Sequence, residues 1–301
     1  MQLHAVKPGS PQHAVLRRLA AVPLSLRKST RILDVPAGVG AVAFPLASAG
    51  FDVTALDLFP EEALAILSGP GRNRGDLARL CRDALPSGLS VALLGRGGLP
   101  DGGAVVVTRG DMEKPLPFAD AFFDVVASVE GVEHIGAQEQ FVREVRRILS
   151  RGGRLLLTTP NRLCLRSRLA YALTGQRTLR TFIDEHTTVQ ARDEERIYHG
   201  HAFLSDYFEL RYLLHNNGFR IDRVLPSGLS RTSLLLAPLM APPVALFTLL
   251  AAARWKKRFR RRVAEGRIPA GARPPYREIT RHVLSRAALL DGSLVVDAEA
   301  V

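Results

Sequence analysis

The sequence predicts an α/β chain: a doubly wound, mostly parallel sheet with a helical, membrane-leaning C-terminal extension. Three observations lead there. Short apolar runs, among them Arg31–Val35 (RILDV), Phe51–Leu56 (FDVTAL) and Phe123–Ser128 (FDVVAS), alternate with helix-like stretches, and that alternation calls for parallel crossovers. A glycine-bearing turn follows the first run, as where a strand end meets a ligand. Finally, Leu234–Ala253 is twenty residues long, carries no charge, and has Thr248 as its one polar residue.

The elements follow in order. Residues 1–30 read as a helical lead-in. Arg31–Val35 is a first strand, the small-residue run Ala41–Ala49 a helix, and Phe51–Leu56 a second strand. Pro60 starts a helix with Glu61 and Glu62 in its first turn, where carboxylates suit the helix dipole. The Gly- and Arg-rich residues 68–103 form an insertion of loops around one helix near Gly75–Leu85. Ala104–Thr108 (AVVVT) and Phe123–Ser128 are the third and fourth strands. Gln138–Leu149 is an amphipathic helix, with Phe141, Val145, Ile148 and Leu149 on one face. Gly152-Gly153 closes it, and Arg154–Thr159 (RLLLTT) is a fifth strand. The acceptor-side segment 162–203 is polar, Arg-rich and without clear period. Leu204–Asn216 reads as a helix ended by Asn217-Gly218, and Ile221–Leu225 as a further strand. This places the lead-in at 1–30, the main domain at 31–228 and an apolar-basic extension at 229–301.

Composition narrows the class. With 301 residues, 47% of them apolar and 23% charged, the chain is not mostly disordered. Two cysteines, Cys81 and Cys164, exclude a disulfide scaffold or a four-cysteine zinc site. No apolar leader is visible in the first thirty residues, so a cytoplasmic protein is expected. The net charge is +12, and Arg254–Arg262 (RWKKRFRRR) holds seven of the 41 basic residues. Such local basicity suits an anionic lipid surface or nucleic acid, or is a solvated face.

The nucleotide site is carried by Ile32–Val42 (ILDVPAGVGAV). The strand ends in Asp34, and Gly38 and Gly40 let the backbone approach a ligand. The next strand ends in Asp57, where a carboxylate can accept from ribose hydroxyls. Residues 38–43 fit G-x-G-x-x-A, which leaves a dinucleotide open. Asp34 instead suits a cationic or amine-bearing ligand. With Gly110-Asp111-Met112, Pro115–Phe118 and Phe123–Val126 in the same order, the chain resembles the class I S-adenosylmethionine-dependent methyltransferases of the broad ubiquinone/menaquinone-biosynthesis type. The resemblance is close over Arg31–Asn161 and looser to Leu225, and implies a Rossmann-like methyltransferase fold. It implies that Asp34 and the Ala37–Gly40 backbone hold the methionine part of S-adenosylmethionine. It puts Asp57 on the ribose, Leu58 beside the adenine, Asp111 on the adenine amino group and Met112 over the ring. Pro36 departs from the pattern, standing where a glycine usually does, and it has no N–H to donate.

Two clusters suggest acceptor chemistry. Glu130-Gly131-Val132-Glu133-His134 follows the fourth strand, and Tyr198–Phe203 brings His199 and His201. The pairing resembles metal-assisted O-methyltransferases, implying Glu130, Glu133, His134 and His201 as ligands for Mg²⁺ or Mn²⁺ that would lower an acceptor hydroxyl's pKa. Metal-free, Glu130 faces the reaction cavity and His199 or His201 is a candidate general base.

Leu234–Ala253 is long enough to span a bilayer, roughly 30 Å at helical rise. Pro238, Pro242 and Pro243 interrupt it, and basic residues follow it. Both flanks then belong on the cytoplasmic side. A re-entrant hairpin bent at Pro242-Pro243, or a helix lying in the interface, fits; so does a core helix pair or a dimer face. The expectation is therefore methyl transfer to a small lipid-soluble or lipid-linked acceptor, with 234–262 against an anionic inner-membrane face. The rivals are an RNA or soluble-glycan methyltransferase and a non-catalytic nucleotide-binding protein, with no recognisable RNA-binding module in favour of the first.

Overall fold

The computed structural model describes residues 6–60, 105–176, 201 and 203–301, with the strand backbones 90–93, 189–192 and 195–198. The lead-in is helical, as expected. Helix α1 (Pro11–Ala20) starts on Ser10, whose hydroxyl accepts the His13 N–H at 3.1 Å, with proline at the first position. A short α2 (Leu24–Arg27) follows.

Strands β1 (Arg31–Asp34), β2 (Asp52–Asp57), β3 (Ser90–Leu93), β4 (Val105–Arg109), β5 (Phe123–Val129), β6 (Leu149–Pro160), β9 (Phe219–Leu225) and β10 (Ser293–Ala300) form one sheet in the order β3-β4-β2-β1-β5-β6-β10-β9. The five strands β4, β2, β1, β5 and β6 run parallel. Their apolar runs are continuous because both faces are covered. Leu33, Val126, Leu155 and Leu157 enter one core, while Ile32, Val125 and Leu156 enter the other. Helix α3 (Ala43–Ser48) closes the second core, with Phe44, Leu46 and Ala47 buried. The first core is closed by α4 (Gln138–Ile148), through Phe141, Val142, Val145 and Ile148, and by α6 (Tyr207–Asn216).

Several expectations need correction. Strand β3 lies inside residues read as loops and helix, and pairs antiparallel at the sheet edge. The helices expected from Pro60 and near 75–85 fall outside the described residues. Strand β6 begins directly at Leu149, with Gly152 at φ +77° inside it rather than before it. The segment 162–203 holds α5 (Leu165–Thr174) and a hairpin of β7 (Val189–Arg192) and β8 (Glu195–Tyr198). Helix α6 starts at Tyr207, not Leu204, because Asp206 caps it and Glu209 completes a capping box.

The boundary at residue 228 does not divide the sheet. Strand β10, near the chain's end, inserts antiparallel between β6 and β9. Its fully buried Asp297 accepts from Arg154 Nη2 at 2.5 Å and Arg18 Nε at 2.8 Å, tying the strand to β6 and α1. The proline-bent hairpin is also absent. Residues Arg231–Ala264 form one helix, α7, through Pro238, Pro242 and Pro243. A proline's fixed φ of about −65° is itself helical, so it costs a hydrogen bond without reversing the chain. Here all three prolines are exposed. Two short helices, α8 (Tyr276–Val283) and α9 (Arg286–Leu290), lead back into β10.

Candidate active site

A cavity of about 760 Å³ opens at the carboxyl ends of β1, β2, β4 and β5. Each strand delivers an acid to it: Asp34, Asp57, Asp111 and Glu130 all line the cavity.

Asp34 ends β1 almost wholly buried, and its Oδ2 accepts the Ala43 N–H at 2.9 Å, fixing the start of α3. Burial pushes its carboxyl well above the usual carboxylate range; the Ala43 N–H opposes that and the Asp57 charge adds to it. The chain then turns through a cis Val35–Pro36 bond, with the Ala37 N–H on the Leu56 carbonyl at 2.9 Å and the Gly40 N–H on the Ala37 carbonyl at 2.8 Å. Gly40 has φ +77°, and a Cβ there would overlap the buried Phe44 ring, so glycine is required twice over. Gly40 shapes this turn without lining the cavity, whereas Ala37 and Gly38 line it.

Asp57 crosses to this turn. Its Oδ2 accepts the Gly38 N–H at 2.7 Å and its Oδ1 the Phe59 N–H at 2.9 Å. Leu58 lines the cavity beside it. Asp111 accepts the Glu113 N–H at 2.8 Å and pairs with Lys114 at 3.2 Å, leaving Met112 on the wall.

Beyond β5, Glu130 adopts φ +52°, a strained conformation for a residue with a side chain. Its N–H donates to Thr158 Oγ1 at 2.9 Å, and that hydroxyl lies 3.2 Å from Glu130 Oε1. A short 3-10 turn, Val132–His134, follows. Glu133, His134 and His201 each offer a ligand atom, all within 4.8 Å of one another. Glu133 is fully buried, and the His134 and His201 rings meet edge-on at 5.0 Å. The Phe203 N–H donates to the Glu133 carbonyl at 3.1 Å, while Gln138 Nε2 donates to the carbonyls of Val132 and Phe203, strapping the two segments together. Glu130 is not part of this cluster, since its carboxylate is turned to Thr158. His134 lines the cavity; Glu133 and His201 stand behind it. His199 lies outside the described residues.

Sequence reasoning missed Gln12, Glu113 and Ile135, which also line the cavity. Glu113 Oε1 accepts the N–H groups of Gly136 and Ala137 at 2.7 and 3.0 Å and so holds the loop into α4. Its place directly after Asp111-Met112 was the available signal. Gln12 arrives from α1, and nothing local marks it.

Residues 33–157 match a family model described as a methyltransferase domain. A demethylmenaquinone methyltransferase from Renibacterium salmoninarum is 28% identical over 141 residues, 47% of this chain and 46% of that protein. A ubiquinone/menaquinone biosynthesis C-methyltransferase from Bordetella avium is 38% identical over 93 residues, 28% of this chain and 36% of that protein. The matches thus span less than half the length of these relatives. A solved S-adenosylmethionine-dependent methyltransferase from Mesorhizobium loti covers 97% of this chain and 98% of its own, at 18% identity and a TM-score of 0.45.

Proposed function

We infer that this chain, a class I S-adenosylmethionine-dependent methyltransferase through residues 33–157, methylates an oxygen of a small lipid-soluble or lipid-linked acceptor on the cytoplasmic side. One observation carries the cofactor reading: Asp34, Asp57 and Asp111, from the ends of three adjacent strands, converge on one cavity. Its volume, about 760 Å³, has room for a nucleoside cofactor and part of an acceptor.

Asp57, at the end of its strand on the cavity wall, would take the ribose hydroxyls as a carboxylate acceptor. Asp111 would accept from the adenine amino group, with Leu58 and Met112 enclosing the ring. The turn at Ala37–Gly40 would hold the methionine part, and Asp34 its cationic end. A cation beside Asp34 would favour its ionised form, opposing the burial that raises its pKa.

When bound, S-adenosylmethionine would supply an activated methyl group to an acceptor oxygen, the electron pair of the broken carbon–sulfur bond staying on sulfur as a neutral thioether. Alignment supplies most of the acceleration. The acceptor's proton would go to a base, and Glu130 and His134, on the cavity wall and outside the groups assigned to the cofactor, are the candidates, with His201 beside His134. Glu133, His134 and His201 offer one carboxylate and two imidazoles, a donor set that suits Mn²⁺ or Zn²⁺ and, less well, Mg²⁺. Such an ion would lower the acceptor hydroxyl's pKa. Relatives named for menaquinone and ubiquinone biosynthesis support a lipid-soluble acceptor. One of them is named a C-methyltransferase, so oxygen as the methylated atom rests on the Glu/His cluster.

Calorimetry with S-adenosylhomocysteine and NADH tests the cofactor reading. Saturable binding of the first is expected; binding of NADH alone would overturn it. Mass spectrometry of co-purified ligands tests the acceptor class.

A further inference from the structure

Helix α7 is exposed where a soluble protein would cover it. None of its most apolar eighteen-residue window is buried. Its exposure is nonetheless organised. Ala237, Ala241, Val244, Ala245 and Thr248 form a half-covered stripe, while Leu235, Leu239, Leu246 and Phe247 stand 81, 77, 56 and 69% exposed on the opposite side. At 100° per residue those four fall on one face, so the bare face is continuous and apolar.

The cations come next on the same helix. Arg254–Arg262 carries seven, and within it Trp255 stacks on Phe259 at 5.7 Å. Aromatic rings among cations at the end of an apolar stretch fit the headgroup level of a leaflet.

Topology sets the orientation. Strands β6 and β9 both pair antiparallel with β10, so they point the same way, and α7 leaves from the carboxyl end of β9. That is the sheet edge at which the cofactor cavity opens. The root of α7 is pinned there: the Ser230 N–H bonds the Leu290 carbonyl, and the Arg166 N–H bonds Ser233 Oγ. Gly228 packs against the carbonyl of Gly9, three residues before Gln12 on the cavity wall. After α7 the chain returns to the same sheet as β10. A single crossing would put β10 across the bilayer from its partners, so α7 does not span.

We propose that α7 is a monotopic docking helix for an anionic phospholipid leaflet, its Leu235–Phe247 face in the acyl boundary and its Arg254–Arg262 run on the headgroups, holding the cavity edge of the sheet at the membrane surface. Charge selects this occupant. Seven cations adjoining a continuous apolar face match a surface that is anionic outside and apolar beneath. An RNA offers only the first property, and a second copy of the helix only the second, leaving the seven cations without an anionic surface. Each Lys or Arg near an anionic leaflet contributes roughly a fivefold gain in partition. The proposal stands apart from the cofactor reading, because lipid binding and S-adenosylhomocysteine binding are measured separately.

The test is flotation of the full chain with vesicles of phosphatidylcholine alone and of phosphatidylcholine mixed with phosphatidylglycerol. Trp255 is the one tryptophan in the sequence, so its emission gives a second readout. The protein should float with the anionic vesicles, with blue-shifted Trp255 emission that brominated lipid quenches. Salt should weaken the attachment without abolishing it, since the apolar face is not screened. The variant Leu235→Glu/Leu239→Glu/Phe247→Glu should lose at least about tenfold in partition and keep S-adenosylhomocysteine binding, which also reports that it is folded. A wild-type protein that stays at the bottom of both gradients overturns the proposal. So does oligonucleotide binding that displaces the vesicles, or a dimer in sedimentation that the triple variant abolishes.

Discussion

The Cα of Gly131 lies so close to the ring of Pro36 that a Cβ at residue 131 would overlap it. The turn after β1 and the turn after β5 are therefore in van der Waals contact across the cavity floor. Pro36 cannot donate a backbone hydrogen bond to a ligand, but its ring limits where Gly131, next in the chain to Glu130, can sit.

The first prediction follows from that contact. Gly131→Ala forces two turns apart in an already packed floor, an overpacking that costs about 1–3 kcal/mol. Thermal denaturation should show the loss, and S-adenosylhomocysteine affinity should fall by about tenfold, some 1.4 kcal/mol. Pro36→Gly in the same chain should restore part of it, because the overlap is with the ring. Unchanged melting and affinity in Gly131→Ala would refute the contact's importance.

Asp57 holds two backbone N–H groups while facing the cavity. Asp57→Ala should weaken S-adenosylhomocysteine binding by about 1.5–3 kcal/mol, the scale of a hydrogen bond to a charged group. Asp57→Asn should retain part of it, since the amide oxygen still accepts one bond. Calorimetry decides between them.

Asp34 makes the unliganded protein sensitive to pH. Its folded pKa is raised by burial, so between the ordinary carboxylate value and that raised value the folded state holds a proton the unfolded state has lost. Stability then falls as pH rises through this window, by about 1.4 kcal/mol per unit of pKa difference. Asp34→Asn should flatten this decline in the melting temperature and weaken S-adenosylmethionine and S-adenosylhomocysteine alike, since both carry the ammonium assigned to Asp34. An identical pH slope in wild type and variant would remove Asp34 as the cause.

If Glu133, His134 and His201 hold a metal, chelator should abolish turnover and Mn²⁺ should restore it. Glu133→Gln should do the same at saturating cofactor, with cofactor affinity unchanged. Full activity in chelator would leave the His134–His201 pair and Glu130 as metal-free bases.

Asp297 is buried beneath two arginines, Arg18 and Arg154. Asp297→Ala removes the central partner of both, while Arg154 keeps Asp222 at 2.6 Å, and should cost about 1.5–3 kcal/mol, the scale of a hydrogen bond to a charged group, read as a shift in the denaturant midpoint.

Much of this was legible in the sequence. Strands β1, β2, β4, β5 and β6 announce themselves as short apolar runs, because a strand buried on both faces needs nothing else. The acids at their ends, Asp34, Asp57, Asp111 and Glu130, and the glycine turn between them could be read for the same reason: each lies within a few residues of its strand. Helix α4 shows its buried stripe directly. What escaped depended on distant partners. Strand β10 carries Asp297 in its middle and reads as a mixed tail; only Arg18 and Arg154, remote in sequence, make that charge tolerable in a sheet. The path of α7 depended on whether three prolines would reverse the chain or merely cost it hydrogen bonds. Glu130 shares a motif with Glu133 and His134, yet its positive φ turns it to Thr158 and away from them. Local pattern determined the parallel core and the acidic edge of its cavity. Long-range pairing decided which elements close the sheet, what lines the cavity from α1, and that the apolar helix leaves the same end of the sheet with one face bare.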